Sequence, residues 1–388
     1  MTNLYSEGVE LTRELVRLPS ENPPATEQRV GEFVAQWLRR VPGVEVEVFE
    51  VQPGRSNVVG RLRSGSSAPA VAILAHMDTV PVGDGWSKDP FGGEIEHGRL
   101  YGRGSCDMKA GLACAMVALK RAAAQKSSPR RDILVCATVD EEGSHMLGGM
   151  DLIRHGIVDK DSFVVATEPT SLEIIIAHKG LVWLEVEAIG KLAHAGNPAL
   201  GVDAVRAMSA FVMEFHAQIM ALPHQHDRLG RTTATFSKIE GGIKTNVVPD
   251  RARLEIDVRI PPPMSIADVH VLAGVAAERA QQLVPGARLS FRQLNNERPP
   301  VEADEQGEFV RALSGAFRET TARPAVRTGF PAYTDASVIQ ARTGNRQSLV
   351  FGPGALAQAH TVDEYVPIDE IDACTDILTR SLAKLCFA

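Results

Sequence analysis

The sequence predicts an α/β protein with a mainly parallel mixed sheet flanked by helices, interrupted by an inserted ferredoxin-like α+β domain. Between residues 70 and 167, short apolar strand patterns alternate with helical patterns, which is typical of βαβ units in a parallel sheet. From residue 181 to 294 the predicted order becomes βαββαβ, the order of a ferredoxin-like sandwich. The chain has 388 residues, more than the roughly 150 expected of one domain. We therefore expect a first domain in two parts, 1–178 and 296–388, with the insertion at 179–295.

The composition limits the partners of the chain. Its formal net charge of -7 provides no basic field for nucleic acid or anionic lipid, so neither is an expected partner. The first 19 residues, MTNLYSEGVELTRELVRLP, contain no uninterrupted apolar run, which predicts neither a signal peptide nor a membrane span. The five cysteines are scattered without CxxC spacing, which indicates reduced thiols and a cytoplasmic location.

The first part of the chain opens with helices and continues as a sheet. Apolar residues recur at helical spacing on both sides of Pro23 and Pro24, so these prolines separate two helices. The run at 70–76 is apolar throughout, as expected of a strand covered on both faces. The predicted elements are helices 4–18 and 27–40, strands 44–51, 57–62 and 70–76, helix 108–124, strand 132–139, helix 147–155 and strand 162–167.

The insertion is predicted to have one open sheet face. Along strand 251–260, Leu254, Ile256 and Val258 alternate with Asp257 and Arg259, so the apolar residues face the helices and the charged ones the open side. That open face could pair with a second copy or line a cleft. The predicted elements are strand 181–189, helix 201–220, strands 231–239 and 251–260, helix 265–284 and strand 287–294.

The βα pattern then resumes to the end of the chain. The predicted elements are helix 305–319, a loop at 328–337, strand 347–351, a GPG loop at 352–354 and a closing helix at 368–385. His360 lies on the loop that follows the last strand. We expect this part to complete the first sheet.

Carboxylate and imidazole side chains follow successive predicted strands. In open α/β sheets, ligands bind at the carboxyl ends of the strands. Taken singly, an aspartate before a helix is usually an N-cap and adjacent glutamates are usually a solvated pair. Together they predict a metal-dependent hydrolytic site, in which one glutamate binds metal and its neighbour accepts a proton from water. The candidates are His76, Asp107, Glu141, Glu142, Glu168 and His360, with Asp78 placed to contact the second ring nitrogen of His76.

Five segments carry a resemblance to a known family. HMDTVP, GRGSCDMKAG, DEEG, TEP and GPGALAQAHTVDEYV occur in this order across nearly the whole chain. They resemble the metal-binding motifs of the co-catalytic zinc deacylase and peptidase family that includes acetylornithine deacetylase, succinyl-diaminopimelate desuccinylase and glutamate carboxypeptidase. The final segment most resembles the acetylornithine deacetylase branch.

The resemblance implies a two-metal site and a zinc-peptidase-like fold for the first domain. Asp107 would bridge two divalent metal ions, zinc or alternatively cobalt or manganese. His76 and Glu168 would complete one ion's ligands, and Glu142 and His360 the other's.

It also implies roles beside the metals. Glu141 would be the general base, Asp78 would orient His76, and the peptide bond between Asp107 and Met108 would be cis.

For the insertion, the resemblance implies a dimerisation and lid domain in a homodimer. His194 would stabilise the tetrahedral oxyanion in the partner subunit's site, Asn246 would contact substrate across the dimer, and Arg259 would bind the substrate carboxylate. The alternatives are a loop histidine, a turn asparagine and an arginine that pairs with Asp257.

The chain departs from the family pattern at two places. Ala110 replaces the usual glycine after the lysine of the metal loop. In GFPAYTDAS (329–337), Ser337 stands where arginine is common. The second loop lines the substrate site in relatives, so the departure concerns substrate identity.

The expected function is metal-dependent hydrolysis of the amide bond of a small N-acyl amino acid. One alternative is a dipeptidase or acylglutamate-type carboxypeptidase that uses the same site. A second alternative is a metal-binding dimer without catalysis, which would require loss of the base or of a ligand.

Overall fold

The computed structural model describes residues 5–24, 26–143 and 145–387, which form two compact units. The first unit contains the described residues up to Ile176, together with 302–328 and those from Thr334 onward. The second contains residues 177–301 and 329–333. The domain limits drawn from the sequence remain a prediction.

The helices of the described chain are α1 (Glu7–Val16), α2 (Gln28–Arg39), α3 (Ala110–Ala123), α4 (Leu147–Arg154), α5 (Ala204–Ala221), α6 (Ile266–Leu283), α7 (Glu308–Thr321), α8 (Asp335–Thr343) and α9 (Ile368–Cys386). Among the described residues, none of these helices combines the length and the apolar character needed to span a membrane.

The strands are β1 (Val44–Gln52), β2 (Arg55–Leu62), β3 (Val71–His76), β4 (Glu94–Glu96), β5 (Arg99–Tyr101), β6 (Ile133–Thr138), β7 (Phe163–Ala166), β8 (Ile174–His178), β9 (Gly180–Ile189), β10 (Ala193–His194), β11 (Thr233–Gly241), β12 (Val247–Val248), β13 (Arg251–Ile260), β14 (Arg288–Gln293), β15 (Val301–Glu302), β16 (Arg327–Phe330), β17 (Ser348–Val350) and β18 (Tyr365–Pro367).

The main sheet is mixed, with a parallel centre. Its order is β1-β2-β6-β3-β7-β17-β8-β15, and β16 pairs with β8. The central strands β6, β3, β7 and β17 are parallel to one another. The register pairs His76 with Thr138 and Ala166 with Val350, so the carboxyl ends of these strands lie along the same edge.

The core of the first unit explains why its central strands are apolar throughout. Every residue of β3, β6 and β7 is buried, because helices cover both faces of the sheet. The first ten residues of α3 are buried as well, since this helix packs against α1, α9 and the sheet. The predicted α/β fold with a mainly parallel sheet is confirmed.

A small antiparallel sheet, ordered β18-β5-β4, adds to the first unit. Tyr365 of β18 pairs with Tyr101 of β5. This register brings the segment after His360 beside the segment that leads to Asp107.

The second unit has the predicted ferredoxin-like architecture. Its sheet order is β11-β13-β9-β14, and α5 and α6 pack on one face. Along β13, Leu254, Ile256 and Val258 are buried in the core under these helices. Asp257 and Arg259 point to the opposite face and are only partly buried. The short strands β10 and β12 pair beside this sheet.

One predicted loop is wrong. Residues 328–337 were expected to be irregular, but β16 and α8 occupy much of this range. Helix α8 lacks an amphipathic pattern because all of its first residues, 335–340, are buried. Ser337 is itself buried and forms a capping box with Thr334 at the start of α8.

Other differences are smaller. Strand β8 and the short strands β4, β5, β10, β12, β15 and β18 were not predicted. Helix α3 begins at Ala110, not at residue 108, since Asp107 and Met108 have non-helical backbone angles. The remaining predicted elements are present with ends shifted by a few residues, and Leu4, the predicted start of the first helix, lies outside the described residues.

Candidate metal centre

The parallel register brings the first candidate ligands together. His76 is the last residue of β3 and pairs with Thr138, the last residue of β6, so the loop carrying Glu141 and Glu142 begins beside it. Glu168 follows β7, whose neighbour in the sheet is also β3. Three segments distant in sequence therefore place their side chains at one edge of the sheet, as ligand sites in α/β proteins require.

Asp107 reaches the same edge through an irregular turn, Ser105–Lys109. The peptide bond between Asp107 and Met108 is cis, as the resemblance implied. The turn leads into α3, whose start is in very close contact with the residue after β7. A Cβ on Gly111 would lie only 2.0 Å from the carbonyl oxygen of Thr167. Glycine is needed at that position, whereas Ala110 is accommodated in the core.

The two carboxylate oxygens of Asp107 face different imidazoles. Oδ1 lies 3.1 Å from Nε2 of His76, which is also 3.6 Å from Oε2 of Glu168. Oδ2 lies 3.3 Å from Nε2 of His360, which is also 3.0 Å from Oε1 of Glu142. The structure thus forms two groups of one histidine and one glutamate, and Asp107 belongs to both.

The donor set fits divalent cations. Potential ligand atoms of His76, Asp107 and Glu142 all lie within 4.8 Å of one another. Imidazole nitrogen and carboxylate oxygen are ligands that zinc, cobalt and manganese accept. The carboxylates of Asp107, Glu142 and Glu168 are crowded into a mainly buried site, and they repel one another unless positive charge is added. This cluster could therefore hold metal.

The proton affinities of these groups reflect the same crowding. Burial raises the pKa of Glu168 to about 7 and also raises the pKa of Glu142. Hydrogen bonds to Asp107 and Glu142 raise the pKa of His360 to about 10. Burial alone would lower the pKa of His76, but Glu168 and Asp107 hold it well above its ordinary value. The shared cause is the crowding of carboxylates in a buried site, where added positive charge is favourable.

Glu141 has an environment different from that of its neighbour Glu142. Burial, and next the charge of Glu168, raise the pKa of Glu141 well above its ordinary value. The described contacts pair Glu142, not Glu141, with the imidazole of His360. A carboxylate beside the ligand cluster is suited to accept and return a proton.

Asp78 holds the site in a way that the sequence did not predict. Its backbone carbonyl, 2.8 Å away, accepts the hydrogen bond from Nδ1 of His76, whereas its carboxylate oxygen is 3.6 Å from that nitrogen. The carboxylate instead accepts hydrogen bonds from the backbone N–H groups of Glu141 and Glu142, at 3.2 and 3.1 Å. Asp78 therefore orients the imidazole through its main chain and fixes the adjacent glutamates through its side chain.

A buried polar network behind this loop was missed by the sequence reasoning. Asn22 donates to Asp78 and to Asp140, at 2.9 and 3.2 Å. Arg55 pairs with Asp140 at 3.0 Å and with Glu27 through a second ion pair. The sequence signals this network only by placing Asp140 directly before the adjacent glutamates. No pattern in the sequence identifies Arg55 as the partner of Asp140.

Replacing Arg55 by methionine is expected to lower the free energy of unfolding by about 3–5 kcal/mol, because Glu27 and Asp140 would remain as buried charges without a cation. Urea unfolding of the metal-free protein measures this loss. Arg63→Met is the control, since Arg63 pairs with Glu45 at an exposed position and its replacement should cost much less stability. Equal losses for the two variants would show that the network contributes no special stability.

The remaining predicted residues belong to the second unit. His194 and Asn246 lie on neighbouring segments, since the N–H of Ala195 donates to the carbonyl of Asn246 at 3.0 Å, and both residues are exposed. Arg259 forms the alternative pairing considered above: its guanidinium donates to both carboxylate oxygens of Asp257, at 2.7 and 3.1 Å. Its Nη1 also donates to the carbonyl of Pro331 at 3.3 Å.

Comparison with known proteins identifies the family. Residues 72–384 match the model of peptidase family M20/M25/M40. The chain is 32% identical to an acetylornithine deacetylase of Vibrio atlanticus over 372 residues, covering 93% of this chain and 92% of the relative. It is 31% identical to an acetylornithine deacetylase of Vibrio campbellii, covering 95% of each chain.

Solved structures share the fold. Aminopeptidase PepT from Bacillus cereus aligns with a TM-score of 0.81 at 22% identity, covering 98% of both chains. A protein of Bacillus subtilis described as a dinuclear metal-binding peptidase of the M20 family aligns with a TM-score of 0.71 at 16% identity, covering 97% of this chain and 96% of that one. With a His/Asp/Glu cluster that could hold metal at the end of its parallel strands, the chain belongs to peptidase family M20/M25/M40 and is a metallohydrolase acting on amide or peptide bonds.

Proposed function

We propose that this hydrolase removes the acyl group from a small N-acyl amino acid, as an acetylornithine deacetylase does. The observation that carries the proposal is the position of Asp107, whose two oxygens face His76 and His360 separately. The name shared by the relatives that match more than nine-tenths of the chain supports the substrate class.

These contacts support the proposed ligands. His76, Glu168 and Asp107 would hold one divalent ion, and Glu142, His360 and Asp107 would hold the other, with zinc as the first candidate and cobalt or manganese as alternatives. When bound, such ions polarise a carbonyl group and make water more acidic.

Glu141 is the proposed general base. It accepts a proton from the attacking water and later returns that proton to the nitrogen of the broken amide bond, which leaves a free amine and a carboxylate. Asp78 keeps Glu141 and Glu142 in fixed relative positions, because its two oxygens accept their backbone N–H groups. One glutamate can then bind metal while the other remains available to the proton.

The proposed substrate contacts come from the second unit. Arg259 is assigned to the substrate carboxylate, which suits a guanidinium that can donate two parallel hydrogen bonds. Its present pairing with Asp257 means that substrate must compete with that carboxylate or bind to the guanidinium's other edge. His194 is assigned to the oxyanion of the tetrahedral intermediate, and Asn246 to the substrate.

A panel of substrates tests the proposal. The purified chain, loaded with zinc, cobalt or manganese in turn, is assayed for release of free amine from acetylornithine, succinyl-diaminopimelate and simple dipeptides. The proposal expects the highest kcat/KM on acetylornithine or another N-acyl amino acid. A higher kcat/KM on dipeptides would overturn the deacylase assignment but keep the hydrolase.

A peptidase acting on short peptides is the second candidate. It is favoured by the names of the structural neighbours, among them an aminopeptidase from Bacillus cereus and a tripeptidase from Staphylococcus aureus. Those neighbours are 22% identical to this chain, whereas the named deacetylases exceed 30%, so the deacylase stays the first choice.

The insertion is proposed to be a dimerisation and lid domain of a homodimer. Strand β11 is an edge strand of its sheet and carries Ile239, which is 62% exposed. On the neighbouring helix α5, Met213 is 70% exposed and Met220 is 62% exposed. An unpaired strand edge beside exposed apolar side chains favours pairing with a second copy.

Mixing two inactive variants tests whether His194 acts on the partner subunit's site. We expect His194→Ala and Glu141→Gln homodimers to be inactive, and their re-equilibrated mixture to regain about a quarter of wild-type activity, because half of the dimers then contain one intact composite site. Activity is measured before and after subunit exchange. The control mixes Glu141→Gln with Glu142→Gln, which restores no site, and absence of recovery in the first mixture would contradict action in trans.

A further inference from the structure

A buried ion pair connects the segments that carry the proposed ligands. Nη1 of Arg103 lies 2.7 Å from Oε2 of Glu364. Both residues are almost completely buried, with 2% and 1% of their surface exposed. Neither is a proposed metal ligand or proton carrier, so their presence at this depth requires another explanation.

Glu364 contacts the loop that carries Asp107 through the loop's own backbone. Its Oε1 accepts hydrogen bonds from the N–H groups of Cys106 and Asp107, at 2.8 and 3.0 Å. Its Oε2 accepts the N–H of Gly104 at 3.0 Å, in addition to Arg103. One carboxylate therefore fixes three backbone groups of this turn.

Arg103 contacts the segment of Glu364 at a second place and extends the connection to one further segment. Its Nη1 donates to the carbonyl of Thr361 at 3.2 Å, next to His360. Its Nη2 donates to the carbonyl of Pro81 at 3.2 Å, in the segment that begins with His76. The guanidinium and the carboxylate together link the backbones of all three segments.

The pair's energetic contribution to folding does not explain this arrangement. Burying two charges costs about as much as their attraction returns, so a buried ion pair is weak evidence for stability. Its hydrogen bonds fall on the backbone beside Asp107 and His360, where small displacements would change the distances between ligands. The arrangement is suited to fixing the backbone positions of the proposed metal ligands.

We propose that Glu364, with Arg103, is a positioning residue that holds Asp107 at the distance both metal ions require. The inference rests on the proposed two-metal function. Because Asp107 is shared by both groups of ligands, loss of Glu364 weakens both ions together and does not remove one of them selectively.

The test measures zinc binding by the full-length chain with glutamine at position 364. Glu364→Gln keeps the size of the side chain but replaces one acceptor oxygen with an N–H₂ group facing N–H donors. The free zinc concentration needed for half-occupancy, set with zinc buffers and read by elemental analysis, is expected to rise about 10- to 100-fold for both ions. Hydrogen exchange of the peptide covering 102–111 should also become faster.

Controls separate positioning from folding. Glu370→Gln is matched, because Glu370 also accepts a backbone N–H, that of Gly354 at 2.8 Å, and it should bind zinc like the wild type. Arg103→Lys is the second variant should Glu364→Gln fail to fold, since lysine keeps the charge but cannot reach the carbonyls of Thr361 and Pro81 together.

Each outcome supports or overturns the inference. Weaker binding of both ions by a folded variant, with exchange at 102–111 accelerated, supports it. A folded Glu364→Gln or Arg103→Lys that binds zinc like the wild type, even if less stable to urea, overturns it. A wild-type chain that binds no zinc, cobalt or manganese would instead refute the proposed function on which the inference rests.

Discussion

Replacing Glu141 by glutamine is expected to reduce kcat by a factor of about 10² to 10⁴ or more, the typical contribution of a general base, while about two metal ions per chain are retained. Glutamine has nearly the same shape, and the described ligand contacts involve Glu142, not Glu141. The backbone N–H of residue 141 still donates to Asp78, so the loop should keep its conformation.

The measurement combines kinetics on an N-acyl amino acid with elemental analysis of the same sample. Glu142→Gln is the matched control: it should lose metal as well as activity, since Oε1 of Glu142 lies 3.0 Å from Nε2 of His360. If Glu141→Gln lost metal and Glu142→Gln kept it, the roles assigned to the two residues would be reversed.

Much of the fold could be predicted because its signals are local. The apolar strands at 71–76 and 133–138 and the alternation along 251–260 follow directly from burial on two faces or on one. Helix α8 could not be predicted in this way, because a short helix buried at its start shows no amphipathic pattern. The local signal for α8 is its capping box, Thr334 with Ser337, which sequence alone does not distinguish from a loop.

The candidate ligands could be identified from sequence because parallel strands order their carboxyl ends. Once His76 is placed at the end of β3, the register with Thr138 brings the glutamate loop beside it. The supporting residues could not be found in this way. Arg55, Arg103 and Glu364 act through contacts between segments far apart in the chain, and no spacing within one segment encodes such pairs.

The position of Asp107 also shows why single residues were uninformative. An aspartate before a helix is usually an N-cap, but Asp107 has non-helical backbone angles and its carboxylate points to two histidines. A cap would instead accept backbone N–H groups of the helix that follows. In this protein Glu364 accepts the backbone N–H groups of Cys106 and Asp107, which precede α3, and both side-chain oxygens of Asp107 face imidazoles instead of the helix.

Replacing Asp107 by asparagine is expected to remove both metal ions and all measurable activity. Asparagine presents one oxygen and one N–H₂ group, so it can serve the side of His76 or the side of His360, but not both. After dialysis at a fixed free zinc concentration, we expect the zinc content measured by elemental analysis to fall from about two ions per chain to near zero. The circular dichroism spectrum should remain unchanged.

Removal of metal by a chelator gives an independent check on the same variant. Ligand binding stabilises the native state by about 4 kcal/mol when the free ligand is about 1,000 times its Kd. A chelator should therefore lower the Tm of the wild type but hardly that of Asp107→Asn.

Glu168→Gln is the contrasting variant, because Glu168 contacts His76 and not His360 among the described ion pairs. It should keep about one ion and an intermediate Tm, since only one of the two ligand groups is altered. Two ions retained by Asp107→Asn would mean that the metals do not share this carboxylate, and the two-metal assignment would then have to be abandoned.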